Sequence, residues 1–156
     1  MSVTTERPTA AGAKETAAAF MTCLNNHDVE GAMALIDPAA SFEIVPARIK
    51  GSAGDEGAAF VAEVLRAFPD LRITTRSVTG TPGTGVVEIT MEGTQAGDFL
   101  GIDNQEKHID VDQAWMFTAD NGTITGVKAY WCQNQVYRRL GVKRLDQISI
   151  SQPRKG

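Results

Sequence analysis

The residues best placed to do chemistry lie in IDVDQAWMF, residues 109–117. In an extended strand, successive side chains face opposite ways. Ile109, Val111, Gln113, Trp115 and Phe117 then share one face, with a single carboxamide among apolar groups, while Asp110, Asp112, Ala114 and Met116 take the other. An amide does not titrate near neutrality, so Gln113 cannot act as a general base. It can donate an N–H to a developing enolate or alkoxide, or accept a hydrogen bond. The run VVEITMEGTQ (86–95) repeats the pattern: Val87, Ile89, Met91, Gly93 and Gln95 share a face, so Gln95 also points inward. Two inward amides describe a polar, uncharged pocket that orients a guest. They equally fit amides bonded to each other or to nearby backbone, as buried amides usually are. Both readings stand at this point.

Other candidates are weaker. His108, Asp110 and Asp112 alternate along one strand face and could bind a metal or serve as acid and base. They share that face with Ala114 and Met116, so the row reads as solvated or subunit-facing, and no metal is expected. A β-bulge would turn Asp112 inward, which makes it the reserve base. Asp98 reads as a turn-stabilising residue, Glu43 as lying opposite Phe42 and Ile44, and His27 as a charge complement at a helix end. Cys132 has no His near it in sequence and reads as a buried, inert thiol. Phe20, Met21, Trp115, Tyr130 and Trp131 read as core or pocket wall.

These side chains need elements to hold them. AKETAAAFMTCLNNH carries Ala17, Phe20, Met21 and Leu24 at helical spacing. Asp28 can cap a short helix, VEGAMALI, that stops before Pro38. Ser52 with Asp55 resembles a capping box, and Phe60, Val61, Val64, Leu65 and Phe68 give that third helix an apolar face ending at Pro69. Strands are expected at 41–45, 71–78, 86–95, 107–118 and 123–135. GTPGTG reads as a hairpin turn, since a phosphate loop would need a Lys-Ser/Thr pair and a following helix. Asn121-Gly122 signals a type I′ hairpin. Helices first and antiparallel strands after argue for an α+β fold: a curved, mixed, mostly antiparallel sheet wrapped around N-terminal helices as a cone-shaped α+β barrel. The interior of such a cone is expected to be apolar and roomy enough for a small organic molecule.

The bulk properties set limits. The chain has 156 residues, enough for one domain with a real core. Lys plus Arg is 15 and Asp plus Glu is 19, a net charge of −4, which argues against nucleic acid as a partner. No run is apolar enough to span a bilayer, and no secretory segment is visible near Met1, so the expected location is cytoplasmic. Cys23 and Cys132 read as free thiols. Residues 1–11 are read as a flexible arm, 12–142 as a single cone domain, and 143–156 as a C-terminal tail.

LNNHDVEGAMALIDPAASFEI, AFPDLRI, GTQAGDFLGI (93–102) and NGTITGVKAYWCQNQVYRRLGV (121–142) together resemble the SnoaL-like polyketide cyclases, within the nuclear transport factor 2-like cone folds that include ketosteroid isomerase. The resemblance spans roughly residues 13–142. It implies a cofactor-free cyclase or isomerase of secondary metabolism acting on a polyketide-like or other polycyclic small molecule. It also implies a homodimer paired through the outer face of the sheet, with residues 140–151 extending the contact. In the family, an Asp on the fourth strand removes a proton beside a carbonyl and a His on the third-strand motif assists. Those positions fall at Gln113 and Gln95 here, and an acid common in the last strand falls at Cys132. Losing the general base forfeits about 10²–10⁴ in rate. On the amide chemistry above, Gln113 and Gln95 are then read as polarising groups, with Asp112 in reserve. Phe20, Met21, Met91, Trp115, Tyr130, Cys132 and Asn134 are the expected substrate contacts. A non-catalytic binding or scaffold protein is the alternative. A hydroxylase or epoxide-opening enzyme is a further one, although no inward Arg is expected to complete the Asp-Arg-Asp set of the epoxide hydrolases of this fold.

Overall fold

The computed structural model of the chain describes residues 12–142; the expected arm (1–11) and tail (143–156) lie outside them. The elements in order are α1 (Ala13–Asn25), α2 (Val29–Ala34), β1 (Ile36–Ile44), β2 (Ile49–Ser52), α3 (Ala58–Ala67), β3 (Arg72–Gly80), β4 (Thr84–Thr94), β5 (His108–Asp120), β6 (Thr123–Trp131) and α4 (Gln133–Arg139). A short 3-10 turn, Val45–Ala47, precedes β2, and a π-helical turn, Ala53–Gly57, leads into α3.

One six-stranded sheet runs β2-β1-β6-β5-β4-β3. All neighbours are antiparallel except β1 and β6, so the sheet is mixed and mostly antiparallel, as expected. Its inner face packs on the helices. The α1 stripe of Ala13, Thr16, Ala17, Phe20, Met21 and Leu24 is buried, and Phe20 lies against Trp115 and Phe117 at ring-centroid distances of 6.0 and 5.5 Å. Asparagine and histidine side chains fix the end of this helix: Asn25 Oδ1 accepts the Ile73 N–H at 2.8 Å, and His27 Nε2 sits 2.8 Å from the Leu71 carbonyl oxygen. His27 is thus a tether to the start of β3 and not merely a charge at a helix end.

The two strands that carry the inward amides pair without a break from Gly85–Phe117 through Gly93–Ile109. Ile109, Val111, Gln113, Trp115 and Phe117 are buried, while Asp110, Asp112 and Met116 are exposed. No bulge interrupts this pairing, so the turn that would bring Asp112 inward does not occur. The bulges lie elsewhere, at Arg76 in β3 and at the far end of β5. Asn121 and Gly122 both have positive φ, 51° and 80°, as the type I′ turn requires.

Three elements depart from the sequence reading. Strand β1 starts at Ile36 and runs through Pro38. This is tolerated because its pairing with β6 skips from Ile36 to Ser41, leaving the proline without a ladder bond to lose. Strand β2 was not expected. The last strand stops at Trp131, not 135, and Cys132 precedes a short helix whose Val136, with Leu140 one turn on, is buried. Ser52 caps the turn into α3 as expected, through the Asp55 N–H at 3.3 Å. The acid that returns the bond to the Ser52 N–H, at 2.8 Å, is Glu56.

Candidate functional site

Inside the cone, α1 contributes Leu24 and α3 contributes Phe60, Val61, Val64 and Leu65. The sheet adds Ile73, Ile89, Met91, Gln113, Trp115 and Trp131, while Leu71 and Phe99 come from loops. These residues line one cavity, and Gln113 is its only polar side chain apart from the two indoles. The cavity is tight. About 20 Å³ is open to the centre of a water-sized sphere, room for roughly one water, within ≈ 420 Å³ of unfilled space that includes the mouth. The expected roomy hollow is therefore corrected: aromatic rings fill it. Phe60 lies 6.2 Å from both Trp115 and Trp131, and Phe99 packs edge-on against Phe68 at 5.0 Å. An organic guest enters only if some of these rings give way.

Gln113 is 8% exposed. Its Oε1 accepts the Trp115 indole N–H at 2.9 Å, and its Nε2 points at Met91 Sδ, 3.4 Å away. Gln95 is 1% exposed and also inward, but it does not reach the cavity. Its Nε2 donates to the Ile102 carbonyl at 3.1 Å and its Oε1 accepts the Gln105 N–H at 3.3 Å. The two amides do not bond each other. Gln95 holds the 96–107 loop, and Gln113 faces the hollow.

That loop is secured on several sides. Glu63 on α3 accepts the Leu100 N–H at 2.5 Å, and the Arg66 guanidinium donates to the Asp98 carbonyl at 3.2 Å. Asp98 itself accepts the Asn104 N–H at 2.8 Å, the turn role expected of it. Gln105 donates to the Leu140 and Gly141 carbonyls at 3.1 and 3.0 Å, tying the loop to the end of α4. At the start of the loop, Asp70 accepts the Thr94 N–H at 2.8 Å. That N–H outweighs partial burial and holds the Asp70 carboxyl below the usual carboxylate range.

The remaining expected site residues divide sharply. Met91 and Trp115 line the cavity. Phe20 and Met21 are fully in the core beside it and do not line it. Asp112 sits on the outer face, where it accepts the Thr90 hydroxyl at 2.7 Å, and Thr90 in turn accepts from Arg76 Nε at 2.9 Å. The same arrangement places Arg76 outside the cone. Tyr130 is 40% exposed because it pairs with Ala114 on the outer face. Its neighbour Trp131 pairs with Gln113 and faces in, so strand parity alone would have chosen Trp131 over Tyr130. Cys132 and Asn134 are exposed, because the chain leaves the sheet at Trp131; the buried-thiol reading of Cys132 is corrected for the same reason. Burial, with the Asp28 charge adding to it, pushes the Cys23 thiol up, which keeps it protonated and unreactive.

Sequence reasoning missed Phe60, Val64 and Phe99 as cavity wall and Glu63 as a loop anchor. The helical stripe through Phe60 and Val64 was visible, but a stripe does not distinguish core from cavity wall. Among the described residues, no carboxylate, imidazole or thiol lines the cavity. What the arrangement can do is enclose an apolar surface and offer one amide to a polar atom. No helix among these residues is long and apolar enough to cross a membrane.

Comparison with known proteins agrees with the fold. A candidate SnoaL-like polyketide cyclase from Jannaschia sp. CCS1 superposes with a TM-score of 0.73 at 18% identity, covering 87% of this chain and 97% of that one. IdmH, a candidate polyketide cyclase from Streptomyces antibioticus, gives 0.67 at 20%, covering 82% and 97%. TerC, co-crystallised with polyporic acid, gives 0.66 at 15%, covering 81% and 95%. No curated protein matches the chain. The family model for SnoaL-like polyketide cyclases matches residues 14–140, and the chain therefore belongs to that family.

Proposed function

We propose that the protein binds a polyketide-like or other polycyclic small molecule inside the cone, as a cofactor-free cyclase or isomerase that orients its substrate and polarises one oxygen through Gln113. The observation that carries this reading is the position of Gln113: the one amide in an apolar cavity, where the family resemblance puts its base. Among the described residues no titratable group lines the cavity, so in this reading the proton leaves to water or to a group on the substrate itself. Gln95 and Asp112, the other two expected catalytic residues, have no part in the chemistry of this reading: Gln95 holds the loop and Asp112 sits on the outer face. A homodimer through the outer face is part of the proposal, supported by the exposed Met116 and Tyr130 on that face.

Trp115 and Trp131 are the chain's two tryptophans and both line the cavity, so their fluorescence reports occupancy. Polyporic acid, the ligand co-crystallised with TerC, is a suitable first probe. Saturable quenching is expected, and in single-turnover assays with poly-β-ketone substrates Gln113→Ala should slow product formation by about 10²-fold or more while changing binding less. Unchanged turnover would remove Gln113 from the mechanism. A second reading, a non-catalytic binding or scaffold protein, is favoured by the near-filled hollow; it predicts quenching with no product from any substrate.

A further inference from the structure

Four aromatic residues line the cavity, and three of them, Phe60, Trp115 and Trp131, stand on α3, β5 and β6. The backbone under those three is committed to helix or ladder bonds. Phe99 stands on a loop, in a two-residue hairpin that pairs with itself. Its N–H donates to the Ile102 carbonyl at 3.0 Å, and the Ile102 N–H donates to the Phe99 carbonyl at 2.8 Å. Leu100 and Gly101 at the tip both have positive φ, 48° and 81°. Such a turn favours Asn-Gly, and a leucine in its first place is strained. The loop is fixed on either side of this tip. The Ala96 N–H donates to the Ala67 carbonyl at 2.7 Å, and Gln95 clamps Ile102 and Gln105. Between those posts, among the described residues, segment 97–101 has two polar ties outside its own loop, both to side chains of α3. Glu63 accepts the Leu100 N–H, and Arg66 donates to the Asp98 carbonyl. These two side chains are 32% and 59% exposed, so water can take the place of either tie.

We infer that residues 97–101 are a lid over the cavity and that Glu63 is its latch. When the Leu100 N–H leaves Glu63, the segment lifts from α3 and carries Phe99 out of the wall. An isolated hairpin of this size does not hold in water, so the Phe99–Ile102 bonds part as it lifts. Opening relieves the strain at Leu100. Closure is favoured by burying Phe99, which is 3% exposed and packs edge-on against Phe68. Gln95 stays in place and serves as the post from which the lid swings. The inference rests on the reading that the cavity receives a ligand, and it adds the route by which the tight hollow fills.

Amide hydrogen exchange on the ligand-free full chain tests the lid without any guest. Low urea separates a local opening from unfolding, because only unfolding exposes much surface. The Phe99 and Ile102 amides should exchange at least about tenfold faster than those of Val111 and Trp115 in β5, and almost independently of urea. Neither of these two amides touches Glu63, yet both should exchange about tenfold faster again in Glu63→Ala. Glu63→Gln keeps an oxygen for the Leu100 N–H and should stay within about threefold of wild type. Stopped-flow tryptophan quenching by polyporic acid then tests passage. A lid latched over both the empty and the filled cavity slows entry and exit alike. Glu63→Ala should therefore raise the association and dissociation rates together by about tenfold, with Kd within about twofold. Phe99 and Ile102 amides that exchange only with global unfolding, or that ignore Glu63→Ala, would overturn the lid. A rise confined to the dissociation rate would overturn the latch, since Glu63 would then only steady the bound state. If polyporic acid does not bind the wild type, the ligand reading loses its support, while the exchange result still decides whether the lid opens.

Discussion

Gln95 and Gln113 begin as equals in the sequence, each a lone amide on the inner face of a strand, and the fold treats them in opposite ways. Gln95 lies just past the end of β4, where the 96–107 loop folds back over it and supplies a carbonyl and an N–H at once. Gln113 lies mid-strand, where neighbouring backbone is already paired in the ladder, so only side chains can reach it. One side chain is a tryptophan that fills the oxygen; the other is a methionine that barely serves the nitrogen. Position along the strand, not residue type, decides which amide is tied into a loop and which lines the cavity.

The largest test of this contrast is stability. Gln95→Leu strands the Gln105 N–H and leaves the Ile102 carbonyl with only the Phe99 N–H at 3.0 Å, and should cost about 2–3 kcal/mol in denaturant unfolding. Gln113→Leu strands only the Trp115 indole N–H and should cost about 1–2 kcal/mol. Equal losses would remove the distinction between the two amides. The pair can be sharpened further. In Gln113→Leu/Trp115→Phe neither partner is left unsatisfied, so the double variant should lose less than the sum of its single changes, with a coupling of about 1 kcal/mol.

The smallest effect lies at the loop's other anchor. The Thr94 N–H holds the Asp70 carboxyl below its usual range, so its contribution is complete above the unfolded-state value, about 3.9, and fades as pH falls through the lower folded-state value. Asp70 is exposed, so Asp70→Ala should cost under about 1 kcal/mol at pH 7. The gap from wild type should narrow well below pH 4. A gap that widens on acidification would reverse the sign of the argument.

Much of the fold was legible because strand alternation has a period of two and one face is buried. The inward sets on β4 and β5 followed from that alone, as did the Asn121-Gly122 turn from its need for positive φ. The family resemblance, carried by motifs such as GDFLGI, agrees with the family match over residues 14–140. What failed were the ends of elements. YWCQNQ alternates well enough to pass for strand, and only the Val136–Leu140 spacing hints that the chain has turned helical. That error carried Cys132 and Asn134 into the expected site, and Tyr130 was placed there against strand parity, although all three face solvent. The size of the hollow was not legible either, because it depends on how Phe60, Phe99, Trp115 and Trp131 pack together from four separate elements. Gln95 was placed on the correct face, but nothing in its own strand announced the loop that occupies it.

The most direct measurement is a side-chain amide ¹⁵N–¹H spectrum recorded while polyporic acid is added. The account predicts that the Gln113 Nε2 resonances shift with occupancy while those of Gln95 stay fixed. A probe that binds and moves Gln95, or that binds and leaves Gln113 unmoved, would contradict it.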